Sequence, residues 1–185
     1  MKDLSLHILD IAQNCYTAGA SKVCIGLEIK GGTCTLMVSD NGKGMDGETL
    51  KMATNPFFTT RTTRKVGLGI PFLKQNAELT GGSLAITSKP GEGTAIKAIF
   101  NTTSIDMLPY GNLANTFMLL ITGYQQVDTI VDVSWANGRY AISTFELKNT
   151  LNEALDNPGL PRLIEEMIEE NIAASHRQQE PGQNA

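Results

Sequence analysis

The sequence predicts an α+β protein: a two-layer α/β sandwich over residues 1–101, carrying a C-terminal α/β extension. Three observations predict it. Helical and strand periodicities alternate along the chain as helix, hairpin, helix, hairpin. Glycine-rich turns at Gly31-Gly32, Pro90-Gly91-Glu92-Gly93 and Ala136-Asn137-Gly138 separate strand-like runs at hairpin spacing. The 185 residues, 41 % hydrophobic and 18 % charged, suffice to bury one ordinary core.

Each element has its own signal. Leu4, His7 or Ile8, Ile11 and Cys15 fall at helical spacing, so residues 4–18 form an amphipathic helix closed near Gly19. Strands over 21–29 and 33–39 meet at Gly31-Gly32. Asp40-Asn41-Gly42-Lys43-Gly44-Met45 is too rich in turn residues for regular structure, and a short helix follows over 47–53. Residues 54–66 have no period and read as a long mobile loop, the kind that is functional or disordered. A helix over 68–79 ends at Gly81-Gly82, and strands over 83–88 and 94–100 flank the Pro90 turn. Beyond residue 101 come a helix over 113–124, strands over 129–134 and 140–145, and two helices. The last spans 160–174, with Leu163, Ile164, Met167, Ile168 and Ile172 as its apolar side. The division is therefore 1–101, an acidic extension over 102–176 packed on it, and a disordered polar tail over 177–185.

Charge separates the two parts. Residues 1–101 carry 11 basic and 8 acidic groups, whereas 102–185 carry 4 and 11. A net charge of −4 and 6 % aromatics argue against a nucleic-acid binder built on a basic face with stacking rings. The apolar run Phe117–Ile121 is far short of the ~20 residues that span a bilayer, and the N-terminus lacks a signal-peptide pattern. Cys15, Cys24 and Cys34 are odd in number, without Cys-x-x-Cys spacing, and read as buried free thiols. A cytoplasmic protein without a membrane partner is expected.

Neither standard phosphate loop is present. Lys43 is followed by Gly44 rather than Ser or Thr, and Gly67-Leu68-Gly69 has Phe72 where a dinucleotide fingerprint needs its third glycine. Four other segments could form a cradle. Asp10 and Asn14 stack on one helix face, as oxygen ligands for a hard cation such as Mg²⁺ would. Asp40 ends a strand before glycines that let a flat ligand approach. Gly67 and Gly69 open a helix whose free N–H groups form an anion site. Thr94, after Gly93, begins the closing strand.

In order and spacing, these segments resemble the N, G1, G2 and G3 boxes of the GHKL superfamily, the Bergerat-fold ATPases and kinases. Asp10-x-x-x-Asn14 is similar to the N box and Asp40-x-Gly42-x-Gly44-Met45 to G1. Gly67-Leu68-Gly69-Ile70 is similar to G2, and Gly91-x-Gly93-Thr94 to G3. Asn55-Pro56-Phe57-Phe58-Thr59-Thr60-Arg61 resembles the F box of histidine kinases, which precedes the glycine turn of the ATP lid. The resemblance covers residues 4–100.

The resemblance implies ATP and Mg²⁺ as cofactors. Asn14 would hold Mg²⁺, Asp40 the adenine amino group, and Thr94 would help through a water. Gly42, Gly44, Met45, Gly67, Leu68 and Gly69 would shape the adenine and phosphate pockets. Arg61, Arg64 and Lys65 would lie in the lid, each a candidate for the β/γ-phosphates against the alternative of a solvated loop charge. Phe57 and Phe58 would pack the lid. Asp10 stands where the family usually has Glu, one methylene shorter. It is a candidate general base, the alternatives being a Mg²⁺-shell or structural role. Thr17 stands where gyrase- and MutL-like sequences often have a second acid. His7 lies within the first helix and reads as a satisfied core or surface histidine, not a phosphoacceptor, and His176 as solvated. The acidic residues of the last helix read as its solvated outer face, the alternative being a docking face for a basic partner. The implied function is a kinase passing the ATP γ-phosphoryl to a partner protein, histidine-kinase-like or similar to anti-sigma-factor serine kinases. The alternatives are a non-catalytic ATP-binding regulatory module and an ATP-hydrolysing GHKL ATPase. A homodimer is left open.

Overall fold

A computed structural model describes residues 2–53, 69–136, 138–151 and 157–177. The elements run α1 (Leu4–Thr17), β1 (Lys22–Lys30), β2 (Thr33–Asp40), α2 (Gly47–Met52), α3 (Gly69–Leu79), β3 (Ser83–Lys89) and β4 (Gly93–Asn101). They continue with α4 (Leu113–Gly123), β5 (Asp128–Trp135), β6 (Gly138–Ser143), α5 (Thr144–Leu151) and α6 (Leu160–Arg177). The six strands form one mixed sheet in the order β3-β4-β2-β1-β5-β6. All neighbours are antiparallel except β1 and β5, which pair in parallel with Lys22 opposite Asp128.

Period-2 alternation gives the sheet one apolar face. Val23, Ile25 and Leu27 of β1 lie in register with Val38 and Leu36 of β2 and with Val131 and Val133 of β5, and all are buried. Phe100 of β4 sits opposite Cys34, both fully buried. The helices α3, α1, α4 and α6 lie side by side against this face, each meeting the next. They contribute Leu73, Ile8, Ile11, Phe117, Leu120 and Ile168 to the core. On the opposite face Thr87, Ala95, Lys97 and Met37 are exposed. The molecule is thus a two-layer α/β sandwich.

The clearest boundary differences from the sequence reading lie in the extension. The strand expected over 140–145 stops at Ser143, because Ser143 caps α5: its Oγ accepts the Glu146 N–H at 3.3 Å. Ser143-x-x-Glu146 has the spacing of a capping box. The last helix runs on to Arg177, no breaker intervening before Pro181. Within it Ile164 and Ile168, four apart, are buried, while Leu163 turns outward at 61 % exposure. Glu166, Glu169 and Glu170 are exposed on its outer side. The expected loop over 54–66 lies outside the described residues, and so do the tail from 178 on and the side chain of His176. Among the described residues no helix is long and apolar enough to cross a membrane.

Candidate nucleotide site

The site is organised along one side of α1. Asp3 caps that helix, accepting the Leu6 N–H at 3.0 Å. Seven residues on, the Asp10 carboxylate lies against the first residue of α3. A Cβ at Gly69 would overlap its Oδ2, so a larger residue there would turn the Asp10 side chain aside. Asn14, one turn further along α1, is half-buried on the same side. Cys15 reaches the end of β2, where its buried thiol lies against Asp40. Burial first, and the Asp40 charge second, push that thiol up from its ordinary pKa, so it is an inert wall.

Asp40 closes β2 opposite Thr94 of β4, both on the helix-facing side of the sheet and half-buried. The Gly42 N–H donates to Asp40 Oδ1 at 2.8 Å, which orients the carboxylate. The loop from Asn41 to Met45 is fastened on both flanks. On one, Asn41 Oδ1 accepts the N–H groups of Ser21 and Lys22 at 3.0 and 2.9 Å, and the Lys43 N–H donates to the Ala18 carbonyl at 3.0 Å. On the other, the Gly91 N–H donates to the Lys43 carbonyl at 2.8 Å, and the Met45 N–H to Ser88 Oγ at 2.8 Å.

Two glycines are required by backbone geometry here. Gly44 has φ +64°, and a Cβ there would overlap the Lys89 carbonyl; Gly93 has φ +105°, and a Cβ there would overlap the Asp40 carbonyl. Gly42 has less than 3 Å of room beside the Ala18 carbonyl.

The fold therefore sets Asp10 against Gly69 at one end and gathers Asp40, Gly42, Gly44, Met45 and Thr94 at the other, with Asn14 on the helix between them. Five residues of helix, about 7.5 Å of rise, separate Asp10 from Cys15, which marks the Asp40 end. Arg61, Arg64, Lys65, Gly67, Leu68, Phe57 and Phe58 lie outside the described residues. The oxygens of Asp10 and Asn14 suit Mg²⁺, which takes one or two protein groups and keeps its waters. Among the described residues no cluster of three or more His, Cys, Asp or Glu side chains could hold a metal ion.

Three residues here escaped the sequence reading. Asn41 and Ser88 act through hydrogen bonds to distant backbone, and Cys15 through its contact with Asp40. Asn41 stands in a turn, where Asn is common for local reasons, so nothing sets it apart. His7 is fully buried between α1 and α3, with Asn76 Nδ2 2.9 Å from its Nε2. Its Nδ1 is buried without a hydrogen-bond partner, so this histidine is only half satisfied. Burial lowers its pKa to about 4, keeping it neutral.

The model of the family described as "Histidine kinase-, DNA gyrase B-, and HSP90-like ATPase" matches residues 2–104. A putative sensor protein of Shewanella frigidimarina is 34 % identical over 97 residues, 50 % of this chain and 15 % of that protein. An uncharacterized sensor-like histidine kinase of Rhizobium meliloti is 36 % identical over 86 residues, 44 % of this chain and 16 % of that protein. The chain thus spans about a sixth of the length of these curated relatives. Among solved structures, the N-terminal domain of a DNA repair protein superposes with a TM-score of 0.52 at 14 % identity. That match covers 86 % of this chain and 58 % of the other, so the shared fold reaches past residue 104. The chain belongs to the histidine kinase-, DNA gyrase B- and HSP90-like ATPase family, with an ATP-binding domain of that kind in its first 104 residues.

Proposed function

We propose that the chain binds ATP with Mg²⁺ and passes the γ-phosphoryl to a partner protein in a signalling pathway. The observation that carries this reading is the alignment of Asp40, Asn14, Asp10 and Gly69 along one side of α1. Asp40 would take the adenine amino group, and the start of α3 would meet the phosphates. Mg²⁺ held by Asn14 would neutralise phosphate charge. Asp10, which lies against Gly69, would orient or deprotonate an acceptor hydroxyl or imidazole. Catalysis of this kind is mostly positioning and electrostatics. The sensor and histidine-kinase names of the relatives favour a phosphotransfer role, histidine-kinase-like or serine-directed. The domain division 1–101, 102–176 and the cytoplasmic setting belong to the same proposal.

A second reading is a regulatory module that binds ATP without turnover. The shorter acid at position 10 favours it, since about 1 Å of lost reach can cost about 10²-fold in rate. Calorimetry with ATP and Mg²⁺ tests the common part. Wild type should bind in the micromolar to sub-millimolar range, and Asp40→Asn at least tenfold more weakly. No binding by wild type would overturn both readings. Asp10→Asn then separates them. In a kinase it abolishes transfer of label from γ-labelled ATP to protein and leaves ATP affinity within about threefold. If wild type binds ATP and transfers no label, the regulatory reading stands.

A further inference from the structure

Ser88 is the penultimate residue of β3, directly opposite Thr94 in the β3–β4 register. Its Oγ has three neighbours: the Met45 N–H donates to it at 2.8 Å, the Gly93 carbonyl lies at 2.9 Å, and Thr94 Oγ1 at 2.9 Å. A hydroxyl has one proton and two lone pairs. The Met45 N–H can only donate, so it uses one lone pair. The Gly93 carbonyl can only accept, so it takes the proton. What faces Thr94 is the second lone pair, and Thr94 must donate its own proton to it. The exposed side of Thr94 Oγ1 is then lone pairs alone. Its strand partner Asp40, a carboxylate, likewise only accepts.

From this proton count we infer that Ser88 is a specificity-determining positioning residue. By consuming the Thr94 proton it makes the base end of the site accept on both groups, so the site takes a 6-amino purine and rejects a 6-oxo purine. The inference rests on the ATP-site reading above. With Thr94 facing the base directly instead of through a water, a 6-oxo purine presents its carbonyl to two acceptors, and an unpaired buried acceptor is costly. Without Ser88, the Thr94 hydroxyl turns freely and donates to that carbonyl.

The test compares calorimetric binding of ATP and of inosine triphosphate, both with Mg²⁺. Wild type should favour ATP at least tenfold. Ser88→Ala should shrink that ratio about fivefold, largely by tightening inosine triphosphate, and Ser88→Thr should restore it. Equal weakening of both nucleotides in Ser88→Ala would leave Ser88 a mere fastener of the Met45 loop and overturn the inference. Thr94→Val covers the case in which Ser88→Ala does not fold. An accepting Thr94 predicts a larger loss for ATP, and a larger loss for inosine triphosphate overturns it. A wild type that binds both nucleotides equally sinks the inference alone. One that binds neither sinks the ATP site itself.

Discussion

Acidification should unfasten α1 from α3 through His7. The imidazole is fully buried, held at Nε2 by Asn76 and unpartnered at Nδ1. Burial lowers its pKa from 6.5 to about 4, against the opposing pull of the Asp3 carboxylate. Between those values the unfolded chain binds a proton that the folded chain refuses, so stability rises with pH. It is fully present above pH 6.5, falls as pH drops through the window, and reaches its floor near pH 4. At about 1.4 kcal/mol per unit, the two and a half units amount to about 3 kcal/mol, of which about 2 kcal/mol is lost by pH 5. Urea unfolding at pH 7.5 and pH 5.0, on wild type and His7→Gln, reads this directly. The carboxylates titrate alike in both proteins and cancel, while glutamine keeps an amide for Asn76. Wild type should lose about 2 kcal/mol more than the variant over that interval. Equal losses would refute the burial account of His7.

Gly44→Ala should cost about 2 kcal/mol or more and weaken ATP binding. The left-handed φ alone costs about 1–2 kcal/mol for a residue with a Cβ, and the Lys89 carbonyl must also shift. Gly47→Ala, at the exposed start of α2 with open space around it, is the control and should be neutral or slightly stabilising in the same urea titration. Ser143→Ala should destabilise by about 1 kcal/mol through loss of the α5 cap, with no effect on ATP affinity. A chain cut after Ser104 should aggregate or lose its cooperative transition in circular dichroism, because the cut strips the cover from β1 and α1.

What the sequence made legible was local. The β1–β2 and β3–β4 hairpins show themselves in alternating apolar residues and in glycines that turns demand, and α1 in its 3.6 period. The parallel pairing of β5 with β1 joins residues more than a hundred positions apart, and no local pattern encodes such a partner. Leu163 looked like core because periodicity marks a stripe wider than the seam that packing uses; Ile164 and Ile168 fill it. The start of α5 was readable from Ser143 and Glu146, but the β-branched and aromatic run before it pulled the strand too far. At the site, box spacing pointed to residues that the fold gathers on α1 and at the ends of β2 and β4. Ser88 was invisible because its meaning lies in register. Only when β3 sets it opposite Thr94, beside the Met45 amide, does its single proton decide anything.

The same dependence on distant pairing explains why the extension matters to the candidate site. The first N–H groups of any helix lack partners within it. In α1 those of Leu4 and Ser5 donate to the carbonyls of Pro109 and Tyr110, at 2.9 and 3.0 Å, just before α4. The extension thus finishes the end of the helix that carries Asp10 and Asn14. β5 covers the edge that β1 would otherwise expose along eight paired residues. α4 then packs against the flank of α1 opposite α3. The helix bearing the site is therefore fixed from three directions: the sheet beneath, α3 on one side, and the extension on the other. The position of Asp10 against Gly69 therefore rests on contacts made by residues beyond 104 as well as by the first hundred.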